Sequence, residues 1–167
     1  MNTGQTLMTV GAMLLLSILI LRVNNTFLTT STAFMNTKFD ILATSIATSE
    51  MEEISKLAFD QYTASNPATS LSQLTAPGNL RTESGENPND PSTFNDIDDY
   101  NGYTRIDSTM PSAIFKIRCT VNYVASTTPN VISTSATWNK KITIYVSSIS
   151  MMDTLKLSTI YSYWYFR

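Results

Sequence analysis

The residues best placed to do chemistry in this chain lie in one short run, Asp96-Ile97-Asp98-Asp99-Tyr100-Asn101. Three carboxylates and a side-chain amide offer hard oxygens of the kind that Ca²⁺ takes, roughly six to eight at a time. The spacing does not reproduce an EF-hand loop, and the glutamate that would close one is absent. The plainer reading is a solvated turn in which Asp and Asn side chains bond nearby backbone, and on it no metal or cofactor is expected. A carboxylate pair for glycoside hydrolysis can also be drawn from these residues. However, no aromatic-lined cleft can be inferred around them, and flexible turns flank them.

Elsewhere the chemical inventory is thin. There is no histidine, which removes the commonest general base and metal ligand together. Cys119 is the single cysteine, so neither an intramolecular disulfide nor a thiolate cluster can form. It sits in the apolar run from Ile114 to Val124 and reads as a small buried hydrophobe. No Gly-x-Ser-x-Gly, Walker or dinucleotide-binding fingerprint occurs. The chain is expected not to be an enzyme.

The elements that must position these residues follow from composition and period. A chain of 167 residues suits one domain. Hydrophobic residues make up 43% and charged residues 14%, against about a quarter charged in ordinary soluble domains. Ser, Thr and Asn fill the gap, as on an extracytoplasmic surface or in a packed assembly. With a net charge of -2 there is no basic field to hold nucleic acid.

From Gly4 to Leu21 run 18 residues without a charge. As a helix they reach about 27 Å, close to a bilayer core of roughly 30 Å. A membrane span is the expected reading. A cleaved secretory signal would need a basic first region and an Ala-x-Ala-like site, but residues 1–6 carry no basic side chain and nothing after Arg22 resembles that site. No Gly or Pro occurs between Gly11 and Pro67, so helix is expected to continue past the span. Leu28, Met35 and Leu42 form one row, with Phe34 and Ile41 beside it, and Ile46, Ile54, Leu57 and Ala58 extend the stripe. Glu50, Glu52, Glu53 and Lys56 read as a charged face. Asn66-Pro67 is the expected stop.

Residues 64–112 hold five of the six prolines and three of the five glycines, which makes them turns and loops. Beyond them the period changes to two. The segments 115–124, 141–147 and 153–163 alternate as half-buried strands do, and the last runs into the aromatic tail Trp164-Tyr165-Phe166-Arg167. Three such strands form an antiparallel meander that needs cover, and the outer half of the long helix can supply it. The fold class is α+β, a long N-terminal helix packed on a small antiparallel β-sheet.

Three stretches resemble the type IV pilins and the pseudopilins of type II secretion. Met1-Asn2-Thr3-Gly4-Gln5-Thr6-Leu7 looks like a short prepilin leader running into the span. Phe94-Asn95-Asp96-Ile97-Asp98-Asp99-Tyr100-Asn101-Gly102-Tyr103 is similar to an Asp-rich, aromatic-Gly turn of minor pilin-like proteins of the mannose-sensitive haemagglutinin type. Asn139 to Val146, followed by Asp153 to Thr159, looks like the closing hairpin of the same proteins. The resemblance implies cleavage after Gly4 by prepilin peptidase and methylation of the new N-terminus at Gln5. It divides the chain into a leader (1–4), a transmembrane half-helix (5–23), an extracytoplasmic half-helix (24–66) and the loops and sheet of a globular head (67–167). Thr9 stands where most major pilins carry glutamate, which fits a minor subunit. By the positive-inside rule Arg22 and Lys38 alone would favour the opposite orientation, so the orientation follows from the resemblance.

The expectation is a structural subunit of a pilus or pseudopilus-like filament, with Leu14, Ile18 and Leu21 packing helix against helix. Its partners would be other pilin or pseudopilin subunits, the inner-membrane assembly platform, prepilin peptidase and membrane lipid, with no nucleic acid. It would reside in the inner membrane with its C-terminal part extracytoplasmic, or in an extracellular filament. The alternative is a single-pass anchored binding or sensory domain that never polymerises.

Overall fold

The computed structural model describes residues 2–166 and divides into two compact units, Met1–Lys38 and Phe39–Arg167. One helix, α1 (Thr3–Ile54), belongs to both.

In the first unit α1 is apolar almost all round from Leu7 to Leu21 and rich in Asn and Thr beyond it. Between Leu7 and Val23 twelve large apolar side chains are more than half exposed, and this part of the helix is long and apolar enough to cross a membrane. Its few hydroxyls bond back along the helix. Thr9 Oγ1 donates to the Gln5 carbonyl at 2.8 Å and Ser17 Oγ to that of Met13 at 2.9 Å. Hydroxyls satisfied in this way can lie in hydrocarbon without seeking water. Thr26, Thr29, Thr32 and Thr37 repeat the bond farther along.

In the second unit α1 acquires an inner face. Phe39, Ala43, Ile46, Ala47, Glu50 and Ile54 are buried at the three- and four-residue steps of one helical stripe. Ala43 and Ala47 are fully buried small residues on this face. The sheet has β1 (Thr104–Asp107), β2 (Phe115–Ala125), β3 (Thr128–Ile132), β4 (Asn139–Ser147) and β5 (Leu155–Ser162). All pairings are antiparallel in the order β1-β2-β4-β5, with β3 joined to the end of β2. The α+β expectation of a long helix packed on an antiparallel sheet is met. The three expected strands are β2, β4 and β5, and β4–β5 forms the closing hairpin. β1 and β3 are additions, both too short to show a period.

Alternation assigns the faces. Phe115, Ile117, Cys119, Val121 and Tyr123 of β2 face inward, as do Lys140, Ile142, Ile144 and Val146 of β4. Cys119 is fully buried, as its apolar setting implied. The core closes with Tyr161 and Tyr163.

Two expectations are corrected. The helix ends at Ile54, short of Asn66-Pro67. Lys56 and Leu57 donate to Glu53 and Ile54 in a tightened final turn. Ala58 then leaves the axis, giving its N–H to the Asn95 carbonyl and accepting from Ile97 N. Long-range backbone pairing therefore stops the helix before any proline does. The stripe Leu28, Phe34, Met35 and Ile41 is also exposed, because the buried face is set by Phe39, Ala43 and Ala47.

Core position should govern stability. Ile144→Ala, at a fully buried site, should lower unfolding free energy by about 2–5 kcal/mol. Ile149→Ala, at a fully exposed site, should change it by less than about 0.5 kcal/mol. Urea unfolding of the full chain in detergent, followed by near-UV circular dichroism, measures both.

Candidate functional site: a buried charge cluster beside a carboxylate cradle

Lys140 is the inward residue that breaks the apolar pattern of β4. It pairs with Tyr123 of β2 on one side and Tyr161 of β5 on the other, and its side chain is fully buried. Its ammonium donates to the Phe59 carbonyl at 2.7 Å, to Asp60 Oδ2 at 2.8 Å and to Asp98 at 2.6 and 2.8 Å. Three donors thus meet three partners. The rings of Phe59 and Tyr123 lie 4.5 and 5.0 Å from the charge, adding an attraction worth more when desolvated.

Asp60 caps the short turn Gln61–Ala64, accepting from Tyr62 N, while Thr63 Oγ1 accepts from Asp60 N. Thr75 gives Asp60 both its N–H and its hydroxyl, and Tyr123 Oη lies 3.1 Å from Oδ2. Burial pushes the Asp60 carboxyl up, but Lys140 and these donors outweigh it and hold the group below its ordinary 3.8. Asp98 has Lys140 as its side-chain partner, and there burial prevails, raising it to about 7.

The Asp-rich run is the turn Ile97–Tyr100, and it is buried. Asp96, Asp98 and Asp99 are 0%, 0% and 2% exposed, which corrects the expectation of a solvated turn. Three causes combine. Asp96 Oδ1 accepts from Asp98 N at 2.6 Å, and Asp99 Oδ2 accepts from Asn95 N and Asp96 N, forming a capping box. Phe94, Tyr100 and Tyr103 pack edge to face at 4.9–5.6 Å and fix the chain on either side. Lys140 then draws Asp98 inward. Asn101 is occupied as well, donating to the Leu80 carbonyl and accepting from Val121 N. Of the four oxygen-bearing residues singled out by sequence, two are therefore committed to the fold.

The other two meet a residue that sequence reasoning passed over. One carboxylate oxygen from each of Glu83, Asp96 and Asp99 lies within 4.8 Å of the others. Glu83 arrives through the turn Glu83-Ser84-Gly85-Glu86, where Gly85 adopts φ 109°, a conformation that favours glycine. Glu86 stands beside it, accepting from Glu83 N at 2.9 Å and Asn95 Nδ2 at 2.6 Å. Burial, followed by repulsion among the carboxylates, raises Glu83 and Asp96 to about 8. Burial and contact with Glu86 raise Asp99 to about 6.

Glu50 also departs from its expected exposed face. It is 2% exposed and bonds Arg105 of β1 at 2.8 Å, tying α1 to the sheet edge. The residues expected to act in processing and helix packing, Gly4, Gln5, Leu14, Ile18 and Leu21, all lie exposed on α1. A separate open recess of about 590 Å³ between Ser55–Phe59, Thr63–Pro67, Tyr161 and Tyr163 carries no carboxylate, so it is not where the acidic groups converge.

The Lys140 cluster makes a prediction with a definite sign. Asp60, held low in the fold, stabilises it above its ordinary 3.8, and that contribution disappears as pH falls through the folded value. Stability should therefore drop on acidification below about pH 4, and the drop should be shallower in Asp60→Asn. Lys140→Met, which strands two buried carboxylates, should cost about 3–5 kcal/mol at neutral pH. Urea unfolding from pH 2 to 8 reads both effects.

Compared with known proteins, the chain matches no family model, no curated protein and no solved structure.

Proposed function

We propose that this chain is a structural subunit, of the minor pilin or pseudopilin kind, held in a membrane by the first half of α1 and assembled through it into a filament. The observation that carries the reading is the division of labour along one helix. From Phe39 to Ile54 it is the core of an α+β head, whereas from Leu7 to Val23 its apolar surface buries nothing within the chain. That surface needs lipid or other helices. On leaving lipid it would bury the same side chains, Leu14, Ile18 and Leu21 among them, against neighbouring copies. The work is mechanical rather than catalytic, and processing would cut after Gly4 and methylate Gln5. A long apolar N-terminal helix on an antiparallel sheet is compatible with a pilin-like fold and supports the reading in outline.

Intact mass and N-terminal analysis of the protein from its native membrane test this proposal. A mature chain beginning at methylated Gln5 is expected. A chain retaining Met1 would remove it from the pilin pathway and favour an anchored binding or sensory domain.

A further inference from the structure

We propose that Glu83, Asp96 and Asp99 bind a calcium ion, with Glu86 adding charge at the rim. The three residues converge from two segments, the Gly85 turn and the Ile97–Tyr100 turn, with one oxygen of each within 4.8 Å of the others. A cluster of acids alone would mean little, but here two of them are almost wholly removed from water. Asp96 is 0% exposed and its Oδ2 has no hydrogen-bond partner; Asp99 is 2% exposed and its Oδ1 has none. Glu83 Oε2 is a third buried oxygen without a partner. Buried polar atoms left in this state are uncommon, and each costs free energy unless something satisfies it.

The arrangement separates two jobs. In both aspartates one oxygen is fixed by backbone N–H groups, Asp98 N for Asp96 and Asn95 N and Asp96 N for Asp99. The oxygen left over is then aimed rather than free to rotate. Backbone bonds that orient ligating carboxylates in this way strengthen a metal site. Among the described residues no Lys or Arg forms an ion pair with Glu83, Glu86, Asp96 or Asp99. The nearby Lys140 is spent on Asp60 and Asp98.

The donor set chooses the ion. All candidate ligands are carboxylate oxygens, with neither nitrogen nor sulfur, which suits hard cations. The ligands come from turns rather than from a rigid octahedral frame, and at the half-buried Glu83 solvent can complete the coordination shell. Irregular, adaptable oxygen shells favour Ca²⁺ over Mg²⁺, which demands near-octahedral geometry and gives up its waters reluctantly. Calcium held here would pin the loop between α1 and β1 to the turn that also presents Asp98 to Lys140. This inference is independent of filament assembly.

The test uses the full chain in detergent after chelator treatment, titrated calorimetrically with CaCl₂ and separately with MgCl₂, with melting followed in parallel. One Ca²⁺ per chain is expected, with a higher melting temperature in calcium than in EDTA and weaker binding of Mg²⁺. Glu83→Gln, at a half-exposed turn position, should weaken Ca²⁺ by at least about tenfold. Its melting temperature in EDTA should be unchanged or higher, since the substitution relieves repulsion. Asp96→Asn, which keeps an acceptor for Asp98 N, should weaken Ca²⁺ similarly. Equal melting in calcium and EDTA with no heat of binding would overturn the proposal. So would binding unchanged in both variants, and Mg²⁺ binding as tight as Ca²⁺ would overturn the choice of ion.

Discussion

The head of this protein is organised around one buried positive charge. Lys140 enters the core at a position where the alternation of β4 demands an apolar residue, and an unpaired ammonium there would be prohibitive. The chain answers by bringing Asp60 from just beyond α1 and Asp98 from the Asp-rich turn, 80 and 42 residues away in sequence. Removing Lys140 leaves two buried carboxylates without their cation, whereas removing either aspartate leaves the ammonium with one carboxylate in place of two. Such a cluster contributes less to stability than to uniqueness, because few alternative packings can satisfy it. It explains why residues 55–101, with no strand and only short turns, nonetheless hold a definite course over the end of the sheet.

The same constraint shapes the neighbouring carboxylates. Once Asp98 is drawn to Lys140, Asp96 and Asp99 are carried into the interior with it, and their capping bonds to the turn use only one oxygen each. The other oxygens are left without a hydrogen-bond partner, in a cluster with Glu83. The acid-rich cradle and the ion cluster are therefore two sides of one turn, one closed by a lysine and the other open to a cation.

The broad architecture was legible in the sequence because it rests on period. Eighteen uncharged residues announce a helix long and apolar enough to cross a membrane, and alternation in β2, β4 and β5 announces a sheet. What was not legible depends on partners distant in sequence. Glu50 sits among Glu52, Glu53 and Lys56 and reads as surface until Arg105 is placed against it. The end of α1 at Ile54 depends on backbone pairing of Ala58 with Asn95 and Ile97, which no local signal encodes. Lys140 was partly readable, being in phase with Ile142, Ile144 and Val146, but its two aspartates were not. Glu83 could have been suspected only from the Glu-Ser-Gly-Glu turn, and nothing in that turn points to residues 96 and 99. Ile46 and Ile54 of the inward face were read from the helical spacing, but Phe39, Ala43 and Ala47 were passed over, the two alanines because small residues carry little hydrophobic signal beside Leu28 or Phe34.

A charge-locked head thus shares α1 with a segment whose apolar surface is buried nowhere within the chain. The most direct test is disulfide cross-linking of Leu14→Cys in material recovered from cells, since Cys119 is buried and does not compete. Packing of these helices against one another predicts a cross-linked dimer, the largest species that one accessible thiol per chain can form, which returns to monomer under reductant. Monomer alone under oxidising conditions, with the substituted thiol accessible to labelling in the membrane, would contradict assembly through this helix.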